Sequence, residues 1–241
     1  MRSFVGSWIY NLTQRGETLK RIVEAYVGEY ASGKSECAVN RALELLDLPN
    51  IQHPITLVDL DTVEPTYTLR PIREELIGLG LDVVAWSTAE TMGLGEAGSV
   101  IRPEMRWVLK RPGSLILDIG YGVQGAKTLN IIEGAWNDPD LEILAVLNLG
   151  RPLTGTYGDM LAYVRELGPI HGLINNSHLG EETTVSYIQE GAGVVSEVGE
   201  VLHIPVVATT ADEKVRDKLG SSDGLGHPVR YLTRFMPQAF W

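Results

Sequence analysis

Cysteine is almost missing from this sequence. One residue, Cys37, stands among 241, which excludes an internal disulfide and any cysteine-rich metal site. Long apolar runs are missing as well, and no stretch approaches the roughly 20 residues needed to cross a bilayer. At the start, Phe4, Val5, Trp8 and Ile9 are interrupted by polar residues, unlike the continuous apolar region of a signal peptide. A cytoplasmic protein is the expectation. Positive charge is scarce: 20 Lys plus Arg face 31 Asp plus Glu, for a formal net charge of -11. That balance argues against nonspecific nucleic-acid binding, because a phosphate backbone rewards clustered cations. The tail Arg230–Phe235 mixes cations with aromatics, yet Pro237 interrupts it and it is too short for an amphipathic membrane anchor. A packed or partner-facing C-terminus is expected instead.

No repeat, low-complexity run or Pro/Gly/Ser linker divides the chain, so one large domain is expected over residues 20–241, with residues 1–19 as a polar extension. From Arg21 the pattern becomes regular. Ile22–Val27 reads as a strand, rich in β-branched and aromatic residues. Glu36–Leu46 follows with Ala38, Ala42, Leu45 and Leu46 at helical spacing. The alternation repeats: strands at Ile55–Leu60, Leu81–Trp86, Ser114–Ile119, Leu141–Leu147, Ile170–Ile174 and Pro205–Ala208. Helical patterns fall at Ile72–Leu79, Glu104–Lys110, Thr156–Leu167 and Thr184–Leu202. Apolar strands alternating with helices predict a mostly parallel sheet with helices on both faces, a three-layer α/β/α arrangement. In such sheets ligands bind beyond the carboxyl ends of the strands.

The first strand runs into Gly28-Glu29-Tyr30-Ala31-Ser32-Gly33-Lys34-Ser35, which matches G-x-x-x-x-G-K-[ST]. Glycines let the backbone curl until successive N–H groups point at anionic oxygens, and the following helix, from Glu36, adds its positive end. Residues Gly28 to Glu36 are therefore the expected phosphate cradle, with Lys34 reaching the β/γ-phosphates and the Ser35 hydroxyl on Mg²⁺. Two strands end in aspartates: Val58-Asp59-Leu60-Asp61 and Leu117-Asp118-Ile119-Gly120. If both lie near the loop, Asp59 and Asp118 serve Mg²⁺, Asp118 through a coordinated water. Asp61 then orients the attacking water, a role phosphoryl transfer demands. An aspartate at a strand end is otherwise a turn former or helix cap.

This order of motifs, with Gly172-Leu173-Ile174-Asn175-Asn176 further on, resembles the CobQ/CobB/MinD/ParA-type nucleotide-binding proteins, relatives of the nitrogenase iron protein. The resemblance spans about Arg21 to Ala208. It implies a P-loop NTPase using ATP and Mg²⁺, with the roles just given for Asp59, Asp61 and Asp118. It also implies that a strand-end amide, Asn176 or else Asn175, holds adenine. Thr209-Thr210-Ala211-Asp212 resembles the segment that packs over the base. One position departs from the pattern: Glu29 stands where those proteins carry a signature lysine that reaches across a dimer to nucleotide phosphate. An ATP sandwich dimer is therefore not expected, and the transition-state cation has to come from elsewhere, with Arg70 and Arg151 as stand-ins.

The leading expectation is a slow ATPase acting as a switch on a protein partner. A ligase or kinase spending ATP on a small metabolite is the alternative. It would need a substrate pocket from residues 64–110 and a lid from the span Ser87–Arg111. A metallochaperone GTPase fits poorly, with one Cys, 5 His and no Asn-Lys-x-Asp motif.

Overall fold

Strand β1, Val23–Gly28, is buried along its whole length in the computed structural model, which describes residues 18–61, 69–85 and 103–236. A strand covered on both faces has no reason to alternate apolar with polar residues, and β1 does not. Its one carboxylate, Glu24, is neutralised by Arg41 at 2.9 Å and accepts from the Tyr26 hydroxyl at 2.8 Å. Strands β2 (Ile55–Leu60), β4 (Ser114–Ile119) and β6 (Gly172–Asn175) are buried throughout. Between and beyond them lie β3 (Asp82–Val84), β5 (Leu141–Leu147), β7 (Val206–Asp212) and β8 (Val229–Leu232).

All eight strands join one parallel sheet in the order β3-β2-β4-β1-β5-β6-β7-β8. Parallel neighbours require crossovers, and short helices supply them. These are α1 (Lys34–Asp47), α2 (Arg73–Gly78), α3 (Pro103–Arg106), α4 (Gly122–Ala126), α5 (Tyr157–Leu167), α6 (Val185–Leu202) and α7 (Arg216–Leu219). Two cores result, one on each face. On one, Ala38, Ala42 and Leu45 of α1 pack against Tyr26, Leu57, Ile116 and Val146. On the other, Met160 and Val164 of α5 with Val195 and Val198 of α6 cover Ala25, Ala145 and Leu173. Burying such a side chain contributes about 1.5–3 kcal/mol. The three-layer α/β/α expectation holds.

Several boundaries differ. Strand β7 runs on to Asp212, past the expected end at Ala208, because β8 pairs with Thr209 through Asp212. The segment Glu104–Lys110 forms a four-residue α3 and a separate 3-10 turn, Val108–Lys110, rather than one helix. The tail joins the sheet: Val229–Leu232 is an edge strand, where pairing on one side only tolerates Arg230. Among the described residues no helix is long and apolar enough to cross a membrane. Residues 1–17 and 86–102 lie outside the described residues, and with them nearly all of the expected extension and most of the expected lid.

Candidate functional site

The carboxyl end of β1 opens into the loop the motif predicts. The Ser32 N–H turns back to the Glu29 carbonyl at 3.2 Å, and Ala31 takes a left-handed φ of 53°. Gly33, at φ 85°, is the N-cap of α1 and bears no side chain to cap with. A Cβ at Gly33 would sit 2.1 Å from Asn176 Nδ2. Only glycine satisfies both the dihedral and the space. Lys34 and Ser35 then begin the helix, with Lys34 buried and its ammonium 5.9 Å from the Tyr121 ring.

Sheet register brings the aspartates in. Strand β4 adjoins β1, and β2 adjoins β4, so Asp118 lies opposite both Tyr26 and Asp59. Asp118 is fully buried, and among the described residues neither carboxylate oxygen meets a partner of full hydrogen-bond geometry. Burial pushes its pKa up to about 7; Lys34 opposes this, Asp59 adds to it, and the nearby Ser35 hydroxyl opposes it. Asp59 accepts from the Asp61 N–H at 3.0 Å and faces Arg70 at 3.7 Å. Arg70 also reaches the Asp61 carbonyl at 3.5 Å. Asp59 and Asp61 thus gather around Asp118, which also meets Lys34 and Ser35, and Arg70 lies against Asp59 and Asp61. Expected from the sequence only as a stand-in cation, Arg70 belongs to this cluster.

The donor set fits a hard cation. Mg²⁺ keeps most of its waters and takes one or two protein oxygens beside phosphate oxygens. Ser35 directly, with Asp118 and Asp59 through coordinated waters, would meet that need. Among the described residues no group of three or more His, Cys, Asp or Glu forms a self-sufficient metal site.

Glu29 keeps its backbone in the loop but sends its side chain away. The carboxylate accepts from the Leu153 N–H at 3.2 Å and the Thr154 hydroxyl at 3.3 Å. Burial raises its pKa, while these bonds and nearby Arg151 oppose the rise. Tyr30 is 46% exposed and meets Tyr121 edge-on at 5.2 Å. Glu36, counted with the cradle from the sequence, spends its carboxylate elsewhere. It accepts from the Phe235 N–H at 3.0 Å and the Met236 N–H at 2.8 Å. Asn40, one turn along, holds Thr233 by bonds of 2.9 and 2.8 Å in opposite directions.

A cleft beside α1 is lined by Gly33, Asn176, His178, Thr210, Asp212 and Arg234. Asn176 lies at its wall with both ends of its amide engaged. It donates to the Ser32 carbonyl at 2.7 Å and accepts from the Thr210 hydroxyl at 2.6 Å. Asn175 is fully buried behind it, donating to Ile188 O and Thr209 Oγ1, and does not line the cleft. Sequence reading missed Asn148, a buried residue just past β5 whose Oδ1 accepts from the Gly150 and His178 N–H groups. Its place directly after an apolar strand was the available signal.

No protein-family model matches the chain, and no curated protein does. Solved structures do. The signal recognition particle receptor FtsY from Elizabethkingia anophelis matches with a TM-score of 0.54 at 16% identity, over 88% of this chain and 67% of its own. The same receptor in complex with GDP matches at 0.52 and 17%, over 83% of this chain and 60% of its own. FtsY from Mycoplasma mycoides matches at 0.55 and 18%, over 90% and 70%. The chain thus spans about two thirds of these neighbours. The loop Gly28–Ser35, its place after the central strand, and these likenesses give the chain the three-layer fold of the P-loop NTPases.

Proposed function

We propose that this protein binds a nucleoside triphosphate with Mg²⁺ in the Gly28–Ser35 loop and hydrolyses it slowly, as a switch read by a protein partner. One observation carries the reading: a buried Asp118 whose oxygens lack full hydrogen bonds stands beside Lys34 and Ser35 at the mouth of a phosphate loop. Ser35 and Asp118 would hold the ion, which when bound neutralises β/γ-phosphate charge. Asp59 orients Asp61 through its backbone N–H, and Asp61 positions the attacking water. Gly120, Gly122 and Gly125, directly after Asp118, suit a segment that changes when the γ-phosphate leaves.

The base favoured by the cleft is guanine, not the adenine expected from Asn176. Reading adenine with that amide would break its bonds to Ser32 and Thr210. Asp212 offers a carboxylate at the wall, with one oxygen taken by the Lys214 N–H at 2.9 Å. Guanine presents N–H donors to a carboxylate where adenine presents an acceptor. The GDP complex of a structurally similar receptor agrees with this choice. The CobQ/MinD resemblance remains a proposal at the level of this shared architecture.

Calorimetry with Mg-GTP and Mg-ATP tests the reading. Lys34→Ala should abolish binding, since charge-assisted contacts to phosphate are among the strongest in such a site. Asp61→Ala should bind normally and lose hydrolysis by roughly 10²–10³-fold, because water positioning matters only in the transition state. Wild-type hydrolysis in Asp61→Ala would remove that residue's role. Equal affinity for both nucleotides, unchanged in Asp212→Asn, would remove the base assignment. Turnover that waits on an added metabolite would point to a ligase or kinase instead of a switch.

A further inference from the structure

A second cavity, of about 240 Å³, opens between α1 and the β7–β8 edge of the sheet, lined by Tyr26, Arg41, Thr210, Arg216, Arg230 and Leu232 among others. Its charges are unevenly matched. Arg41 is committed to Glu24 and Glu44, both at 2.9 Å. Arg216 pairs with Glu213 at 2.6 Å and lies over the Tyr231 ring at 4.1 Å. Arg230 is different: among the described residues it makes no ion pair and no side-chain hydrogen bond. It lines the cavity together with Tyr26 and Cys37. Of the remaining lining, the Glu44 carboxylate is taken by Arg41 and the Asn40 amide by Thr233, while Ile174, Val229 and Leu232 are apolar.

We propose that this cavity is a binding site for a small organic anion, a carboxylate or phosphate carried on a short apolar stem, with Arg230 as its anchor. A guanidinium offers a planar fork of donors suited to either oxyanion. The surrounding protein is strongly acidic, so an uncommitted arginine in a concave site is the feature that selects an anion there. The cavity is also wired to the nucleotide site. Thr210 lines both spaces and donates to Asn176 Oδ1 at 2.6 Å, and Asn176 donates to the phosphate-loop carbonyl of Ser32 at 2.7 Å. Leu232 belongs to both walls as well. An anion that shifts Thr210 shifts the loop, and linkage makes the effect reciprocal.

The test uses the full chain with two probes, glutarate and propyl phosphate, followed by calorimetry. The Lys34→Ala variant separates this cavity from the phosphate loop, which also attracts anions. Binding of either probe should survive Lys34→Ala, weaken roughly ten- to hundredfold in Arg230→Gln, and recover in part in Arg230→Lys. The ratio between the two probes tells carboxylate from phosphate. Nucleotide affinity measured with the probe saturating should move by about five- to a hundredfold in the wild type and stay fixed in Arg230→Gln. Binding lost in Lys34→Ala and kept in Arg230→Gln would assign the anion to the phosphate loop alone and overturn the proposal. So would no binding of either probe at 10 mM by a protein that binds nucleotide normally. These outcomes are distinct from failure of the nucleotide reading, which the Lys34→Ala nucleotide titration reports by itself.

Discussion

His178 lines the cleft beside α1 together with Arg234. Burial first, then Arg151 and Arg234, pull its pKa down to about 4. Between pH 6.5 and 4 the unfolded chain takes up a proton there that the folded chain refuses, so this residue makes stability fall as pH falls through that window. The contribution is at most about 3 kcal/mol. Denaturant titrations at pH 7 and pH 4.5 should show a smaller acid loss in His178→Gln than in the wild type; equal losses would contradict the suppressed ionisation. Cys37 makes the opposite case. Burial pushes its thiol to about 12, leaving almost no thiolate at neutral pH. Iodoacetamide at pH 8 should label the folded protein only at its unfolding rate, and rapid stoichiometric labelling would rule this environment out. At this scale the sequence was legible where a motif dictates chemistry. Strand order and register place Asp59 beside Asp118, and Asp118 lies close to Lys34, Ser35 and Asp61. It was not legible where a side chain has two uses. Nothing local says that Glu29 turns to Leu153, that Glu36 takes Phe235, or that Asn176 closes on Ser32, since each partner lies more than 120 residues away.

Helix α4 packs so closely on the end of β4 that a Cβ at Gly125 would sit 1.9 Å from the Gly120 carbonyl oxygen. Backbone cannot yield there as a flexible side chain would. Gly125→Ala should cost about 1–3 kcal/mol, the range for forced overpacking, and slow hydrolysis more than it weakens nucleotide binding. Thermal melts with single-turnover kinetics check both, and an unchanged melting temperature would show that the helix moves freely. The segment Thr233–Met236 makes a second element-level case. It is held to α1 by Glu36 and Asn40. Glu36→Ala should raise hydrogen exchange at Phe235 and Met236 and cost about 1–3 kcal/mol by leaving those donors unpaired. Long apolar strands such as β2, β4 and β5 were readable to the residue because burial on both faces leaves one composition. The four-residue β8 was not: its neighbours are set by β7 across the sheet, and an edge strand carries charges that resemble a loop.

For the molecule as a whole, the orientation of Glu29 bears on the expectation that no nucleotide sandwich dimer forms. Its carboxylate is spent on the loop after β5 and brings no cation to a partner's phosphate. Solution scattering of Asp61→Ala with nucleotide should show no shift from monomer to compact dimer. Glu29→Lys should not restore one, because it leaves the Leu153 N–H without an acceptor. A clean nucleotide-dependent dimer, lost in Lys34→Ala, would mean that another surface closes over the site. The contacts between α1 and residues 233–236 also fix an order of events during synthesis. A ribosome adding about 5–20 residues per second makes Glu36 long before the residues 199 and 200 positions later that occupy its carboxylate. Until they emerge, the wall that includes Leu232 and Arg234 does not exist. The nascent chain therefore carries residues 28–35 well before it carries the far wall of the cleft beside them.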